Sequence, residues 1–286
     1  MLGRNSAWGL RLGKLMSALM VAFVGLTALA TAQASAGGGG AGGGSAGSAQ
    51  PCRGQLYLTL DTGNMRHADL IADILKRHQV RATFFLANEA TPRGDYSLDS
   101  TWAEYWRARV TEGHAFGSHT FDHVYLREGS AAQRTGAAFM ARPEFGQQAG
   151  RDLRWSGPEL CTELRRVEDR FRALTSRGLD PIWRAPGGRA PASAMRSAAE
   201  CGYAHVHWAA AGFLGDELPS DRFPNDRLLA QALANIRAGD ILMAHLGIWS
   251  RKDPYAPMLD PLIAGLKARG FCFATIPEHP DYRIKH

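Results

Sequence analysis

The sequence predicts an α/β fold, one domain built as a (β/α) barrel. Three observations carry that expectation. Short runs of strand formers alternate with segments of helical periodicity between residues 56 and 275, the pattern of a parallel sheet with crossover helices. The number of repeats suits a barrel better than an open sheet. Asp61, His119, Arg184 and His245 all fall at the C-terminal ends of predicted strands, the rim where a barrel gathers its chemistry.

The chain opens on an address. Residues 1–36 read as an export signal: Arg4, Arg11 and Lys14 flank an uncharged apolar run over residues 15–30. Ala34-Ser35-Ala36, or Ala32-Gln33-Ala34, then offers a cleavage point. The run is short for a membrane span, so an uncleaved anchor is the second reading, and no stable span is expected after cleavage. Residues 37–50 are almost entirely Gly, Ala and Ser, a tether with no side chains to bury. The folded domain is expected over residues 51–286, in a periplasmic or secreted location.

Within it, Leu56-Tyr57-Leu58-Thr59-Leu60 alternates as a strand ending at Asp61. Residues 67–78 place Leu70, Ile71, Ile74 and Leu75 at helical spacing. Residues 82–86 form a second strand, 102–112 a helix, and 115–118 a short strand running into His119. Residues 127–155, rich in Gly, Ala, Arg and Gln, read as a long irregular loop. Ser156 and Glu159 make a capping box, with Pro158 tolerated in the first turn. The helix they start carries Leu160, Leu164, Val167, Phe171 and Leu174 on one stripe and ends near Gly178. A strand at 181–184, a helix at 192–200 and a strand at 204–208 follow. Asp226 is read as the cap of a helix carrying Leu228, Leu229, Leu233 and Ile236. A strand at 241–244, a helix at 257–268 and a strand at 271–275 complete the series.

The formal charge of +6 falls to about +3 once the signal's three cations are removed, and no Lys/Arg run resembles a nucleic-acid footprint. Four cysteines in an exported chain predict two disulfides, with three pairings open. Cys52 precedes the first strand and Cys272 lies in the last, neighbours in a nearly closed barrel. That favours Cys52–Cys272 and Cys161–Cys201. No C-x-x-C spacing points to a thiolate metal site.

Gly117-Ser118-His119-Thr120-Phe121-Asp122-His123 holds two histidines four residues apart. On a helical turn that spacing puts two imidazole nitrogens on one face, as a divalent metal site requires. Two surface or capping histidines satisfy the same spacing. The surrounding motifs add to it. They are Thr59-Leu60-Asp61-Thr62-Gly63, the histidine stretch itself, Arg184-Ala185-Pro186-Gly187-Gly188, and Ile241-Leu242-Met243-Ala244-His245. In their order and spacing the chain resembles the polysaccharide deacetylases of the NodB-homology type, carbohydrate esterase family four, over residues 55–277.

The resemblance implies a distorted (β/α) barrel of about seven strands. It also implies metal-dependent removal of acetyl groups from an N-acetylated glycan, with O-acetyl ester cleavage open to the same site. His119 and His123 match the histidine ligands of a divalent metal, with zinc the expected ion. Asp61 matches the base that activates a metal-bound water. Arg184 matches the arginine that orients this base, and His245 matches the general acid. Trp208, Leu246 and Trp249 are candidates to line an acetyl or sugar pocket, though core packing explains them equally well.

Two departures stand out. Thr62 occupies the position of the family's second aspartate, a metal ligand, and a neutral hydroxyl is a poor replacement. That departure keeps a second function open, a catalytically inactive glycan-binding protein on the same barrel. After Trp208 the family usually carries aspartates that support the acid histidine. This chain reads Ala209-Ala210-Ala211-Gly212-Phe213-Leu214, with Asp216 the next acidic residue. A hydrolase of small amides is a further reading, which a closed pocket would favour and an open groove would disfavour.

Overall fold

The first strand is the hub of the sheet. The structure, a computed structural model, describes residues 52–129 and 138–283. The signal read at 1–36 and the tether at 37–50 lie outside the described residues. In chain order the strands are β1 (Gly54–Asp61), β2 (Thr83–Leu86), β3 (Ala115–Ser118), β4 (Val124–Arg127) and β5 (Phe139–Pro143). They continue with β6 (Leu153–Trp155), β7 (Ile182–Trp183), β8 (Ala204–His205), β9 (Ile241–His245) and β10 (Phe271–Phe273). The helices are α1 (Ala68–His78), α2 (Ala103–Thr111), α3 (Gly157–Thr175), α4 (Ala192–Glu200), α5 (Asn225–Asn235) and α6 (Leu259–Ala268).

Every pairing in the seven-stranded main sheet is parallel. β1 meets β2 through Thr59–Asp61, β9 through Tyr57–Asp61, and β10 through Gly54–Leu56. From β2 the sheet runs on through β3 and β7 to β8. Closure towards β9 comes from an irregular segment. The Ala209 N–H donates to the Ile241 carbonyl at 3.0 Å and the Leu214 N–H to the Met243 carbonyl at 3.2 Å. Gly212 permits this approach, because a Cβ there would lie 2.0 Å from the Ile241 oxygen. The barrel is therefore distorted on this side, as expected.

The period of two along β1 divides its side chains between two environments. Leu56, Leu58 and Leu60 pack outward into the large core with residues of α1 and α6. Tyr57 joins Phe85, Ile182, Val206 and Ile241 in a separate cluster. Thr59 and Asp61, on Tyr57's face, are buried as well. Between β2, β3 and the helices α2 and α3 lies an aromatic core of Phe84, Trp106, Phe116 and Phe171, with Phe116 and Phe171 rings 4.6 Å apart. Each such side chain stabilises the fold by about 2–3 kcal/mol through burial.

The capping box at Ser156 and Glu159 starts α3, and all five stripe residues are buried. Asp226 lies in the first turn of α5, whose cap position is Pro224. Within the long loop expected over 127–155, of which residues 130–137 lie outside the described residues, two short strands break the irregular chain. β4, β5 and β6 form an antiparallel sheet whose Val124, Leu126, Phe139 and Ala141 pack on Leu160, Leu164 and Trp183. Its alternation survives in Phe139–Pro143 (buried, half-buried, buried, exposed, buried), but only for five residues ending in a proline.

Both disulfides pair as favoured, with Cα–Cα distances of 5.7 Å for Cys52–Cys272 and 6.0 Å for Cys161–Cys201. Among the described residues no helix is long and apolar enough to cross a membrane.

Candidate active site

Asp61, His119, Arg184 and His245 stand at or just beyond the ends of β1, β3, β7 and β9, on one rim. Asp61 and His245 are direct register partners. Asp61, His119, His123 and His245 line one cavity of about 310 Å³.

Arg184 is completely buried and anchors the base of the site. Its Nη1 donates to Asp61 Oδ1 and to Thr59 Oγ1, both at 2.8 Å, and its Nε to the Val206 carbonyl at 3.2 Å. A buried ion pair repays its desolvation only when hydrogen bonds complete it, and here they do so in part. Burial alone would raise the Asp61 pKa. Arg184, then His119 and His245, outweigh it and hold the carboxyl below its ordinary value.

The two histidines reach the cavity from an irregular turn rather than the expected helix. Thr120 and His123 have φ of 64° and 48°, a left-handed conformation that is uncommon for non-glycine residues and strained for β-branched Thr120. Thr120 Oγ1 holds the turn by accepting the Val124 N–H at 2.7 Å, and Arg166 grips Asp122 at 2.8 Å. The rings of His119 and His123 end 5.0 Å apart.

Each ring is oriented through Nδ1. His119 Nδ1 lies 2.9 Å from the Arg184 carbonyl, which can only accept, so Nδ1 carries the proton. Burial pushes the His119 pKa down to about 3, against the opposing pull of Asp61, so the ring is neutral and Nε2 keeps its lone pair. His123 Nδ1 lies 2.6 Å from Glu144 Oε2. Burial lowers its pKa, but Glu89 and Glu144 prevail and the net shift is upward. Histidine ligands are commonly oriented through a carbonyl or carboxylate on the far nitrogen. The donor chemistry therefore fits a divalent cation. The set is not preformed: among the described residues no three His, Cys, Asp or Glu side chains are grouped to hold one.

Thr62 faces elsewhere. Its hydroxyl donates to Glu89 Oε1 at 2.6 Å and accepts the Ala87 N–H at 3.1 Å. Gly63, at φ 53°, donates its N–H to the same Glu89 oxygen at 2.8 Å. A Cβ at Gly63 would lie 2.1 Å from the Gly247 oxygen, so the loops after β1 and β9 meet only through glycine.

His245 has the carboxylate partner that the sequence left unassigned. Asp216 accepts the His245 backbone N–H at 2.7 Å and lies 3.1 Å from Nδ1. The chain from Gly212 to Asp216 runs beside β9, which brings Asp216 level with His245. Burial would lower the His245 pKa, but Asp216, then Asp61 and Glu217, push it up to about 10. The ring is an imidazolium at neutral pH.

Of the three residues expected to line a pocket, Trp208 and Trp249 do so, Trp249 being 58% exposed at the mouth. Leu246 does not. It is fully buried in the main core, its N–H donating to the Asp61 carbonyl at 2.9 Å, because the side chain after His245 points away from the lumen. Sequence reasoning missed Glu89, Tyr125, Glu144 and Glu217, which also line the cavity. Glu89 carried a usable signal, an acidic residue just beyond a buried strand.

A parallel barrel with a charged carboxylate, two histidines oriented through Nδ1 and an imidazolium on its C-terminal rim defines a hydrolase-type site. Residues 48–206 match the polysaccharide deacetylase family, and the chain belongs to that family. A chitooligosaccharide deacetylase of Sinorhizobium fredii is 27% identical over 234 residues, covering 78% of this chain and 91% of that protein. Among solved structures, the Bc1960 peptidoglycan N-acetylglucosamine deacetylase superposes with a TM-score of 0.59 at 21% identity, covering 83% and 93% of the two chains. A mutant of a CE4-family pseudoenzyme with restored activity superposes with a TM-score of 0.57 at 20% identity, covering 81% and 69%.

Proposed function

We propose that this protein is an exported, divalent-metal-dependent deacetylase that hydrolyses acetyl groups on an N-acetylated glycan. The observation that carries the reading is the pairing of opposite charges across one rim: Asp61 held ionised by Arg184, and His245 held protonated by Asp216. A divalent cation, with zinc the expected ion, would be held by His119 and His123 and would supply Lewis acidity towards the acetyl carbonyl and water.

The chain's own residues do the rest. Asp61, fixed by Arg184, takes the proton from the attacking water. Its lowered pKa keeps it available as a base across the neutral range. His245 gives a proton to the departing nitrogen, so the products are acetate and a free amine. Exposed Trp249 and Tyr125 at the cavity mouth offer flat apolar faces to a sugar ring. The named activities of the relatives, on chitooligosaccharides and peptidoglycan, support a glycan substrate. Two disulfides accord with an oxidising location outside the cytosol.

The test is acetate release from N-acetylated chitooligosaccharides and from peptidoglycan with zinc supplied, beside Asp61→Asn and His245→Ala. Release lost in both variants is expected. Undiminished release from Asp61→Asn would overturn the mechanism. Thr62 favours the rival binding function, which would appear as glycan retention by the wild-type protein without acetate release.

A further inference from the structure

We propose that Glu89 is the carboxylate ligand that completes the metal site of this chain, in the role that an aspartate at position 62 would otherwise fill. The inference rests on the metal-dependent reading above and names the ligand which that reading lacks.

Glu89 follows β2 and is only 7% exposed, yet it makes no ion pair with an Arg, Lys or His among the described residues. A buried carboxylate without a counter-charge in contact is costly, and supplying a cation removes the cost. Its two oxygens are unequal. Oε1 accepts from Thr62 Oγ1 at 2.6 Å and from the Gly63 N–H at 2.8 Å. Oε2 accepts no hydrogen bond among the described residues. The side chain lines the same cavity as His119 and His123, whose Nδ1 atoms are already engaged; their Nε2 atoms make no hydrogen bond among the described residues, that of His119 lying 3.6 Å from Asp61 Oδ2.

The exchange makes steric sense. The hydroxyl of Thr62 ends one hydrogen bond from the Glu89 carboxyl group, so the longer side chain from the next strand end delivers its charge to the tip of residue 62. Thr62 then changes from ligand to positioning residue, donating to the oxygen that leaves Oε2 free. Two neutral imidazoles and one glutamate form a donor set known to hold zinc with an open position. Because no such group stands preformed, binding draws Oε2 towards the histidines while Oε1 keeps Thr62 and Gly63.

The experiment is zinc affinity of the purified protein by competition with a chromophoric chelator, together with the visible spectrum of the cobalt(II)-substituted form. The variants are Glu89→Gln, Glu89→Gln with Thr62→Asp, and His119→Ala, each checked for folding by circular dichroism. Glu89→Gln keeps an acceptor for Thr62 and Gly63. It is expected to weaken zinc binding about a hundredfold or more and to alter the cobalt spectrum. Adding Thr62→Asp is expected to restore both. If Glu89→Gln does not fold, Glu89→Asp carries the test, since drawing the carboxylate back by one methylene should weaken zinc at least about tenfold. Wild-type zinc affinity in Glu89→Gln (or in Glu89→Asp, if that carries the test), with binding abolished in His119→Ala, overturns the role of Glu89 and leaves the metal-dependent reading intact. A wild-type protein that takes up no zinc overturns both.

Discussion

Replacing Asp216 by asparagine should convert His245 from a permanent acid into an ordinary one. In the folded protein His245 titrates at about 10, against an ordinary value of 6.5. That upward shift corresponds to about 5 kcal/mol in favour of the imidazolium, at about 1.4 kcal/mol per pH unit. Burial works against the charged ring, and Asp216 leads the groups that overcome it, by charge and by hydrogen bond. Asparagine keeps an acceptor for the His245 N–H but removes the charge, leaving Asp61 and Glu217 to oppose burial. The pKa should fall by two units or more. A general acid is lost as pH rises through its pKa, so the wild type should hold its kcat/KM on the alkaline side up to about pH 10. With a fall of about two units the variant should lose activity above about pH 8, with a deficit of about tenfold at pH 9 that shrinks towards pH 7. The assays are the imidazole NMR titration of His245 and the pH profile of acetate release. A ring that still titrates near pH 10 in Asp216→Asn would refute the assignment of Asp216.

Two predictions concern stability. His114 accepts the Ala82 N–H through Nδ1 at 2.9 Å, and burial pushes its pKa down to about 4 despite Glu112. The unfolded chain therefore takes the proton first: stability is full above pH 6.5 and falls as pH drops towards 4, by on the order of 3 kcal/mol. Urea midpoints of wild type and His114→Gln across that window should differ in slope, and identical slopes would refute the assignment. Removing the Cys161–Cys201 bridge with paired serines frees a loop of sequence separation 40, worth about 4 kcal/mol of unfolded-state entropy. Non-reducing urea melts should show most of that loss, and a change below about 1 kcal/mol would contradict it.

What could be read from the sequence followed the physics of each segment. β1 and α3 announced themselves because burial imposes a period on residues such as Leu56, Leu58 and Leu60, or Leu160, Leu164 and Val167. The β4–β6 sheet did not, since strands of three to five residues in a Gly- and Arg-rich stretch leave almost no periodic signal. The two histidines reach the cavity, but from a turn rather than a helix. A turn held by Thr120 Oγ1 and two left-handed residues has no helical signature. Asp216 and Glu89 are visible in the sequence as acidic residues near the expected rim, but their partners are not: each is paired through tertiary proximity to another loop, not through a motif of its own. For Leu246 the core-packing alternative is the one the structure takes, since neighbours along a strand point apart and His245 occupies the lumen side.

The pairing of the earliest strand with the last two has a kinetic meaning. β1 meets β9 and β10 across nearly the whole chain, and the bridge beside it spans a sequence separation of 220. Contacts so distant along the chain are paid for late in folding, after the entropy of closing the intervening loop. Asp61 and His245 are partners in that same ladder, so neither residue can meet the other until the final strands have docked. A nascent or truncated polypeptide would carry a half-built barrel with an open edge and no assembled charge pair. Assembly of the Asp61–His245 pair is thereby tied to the docking of β9 against β1, one of the last contacts the chain can make.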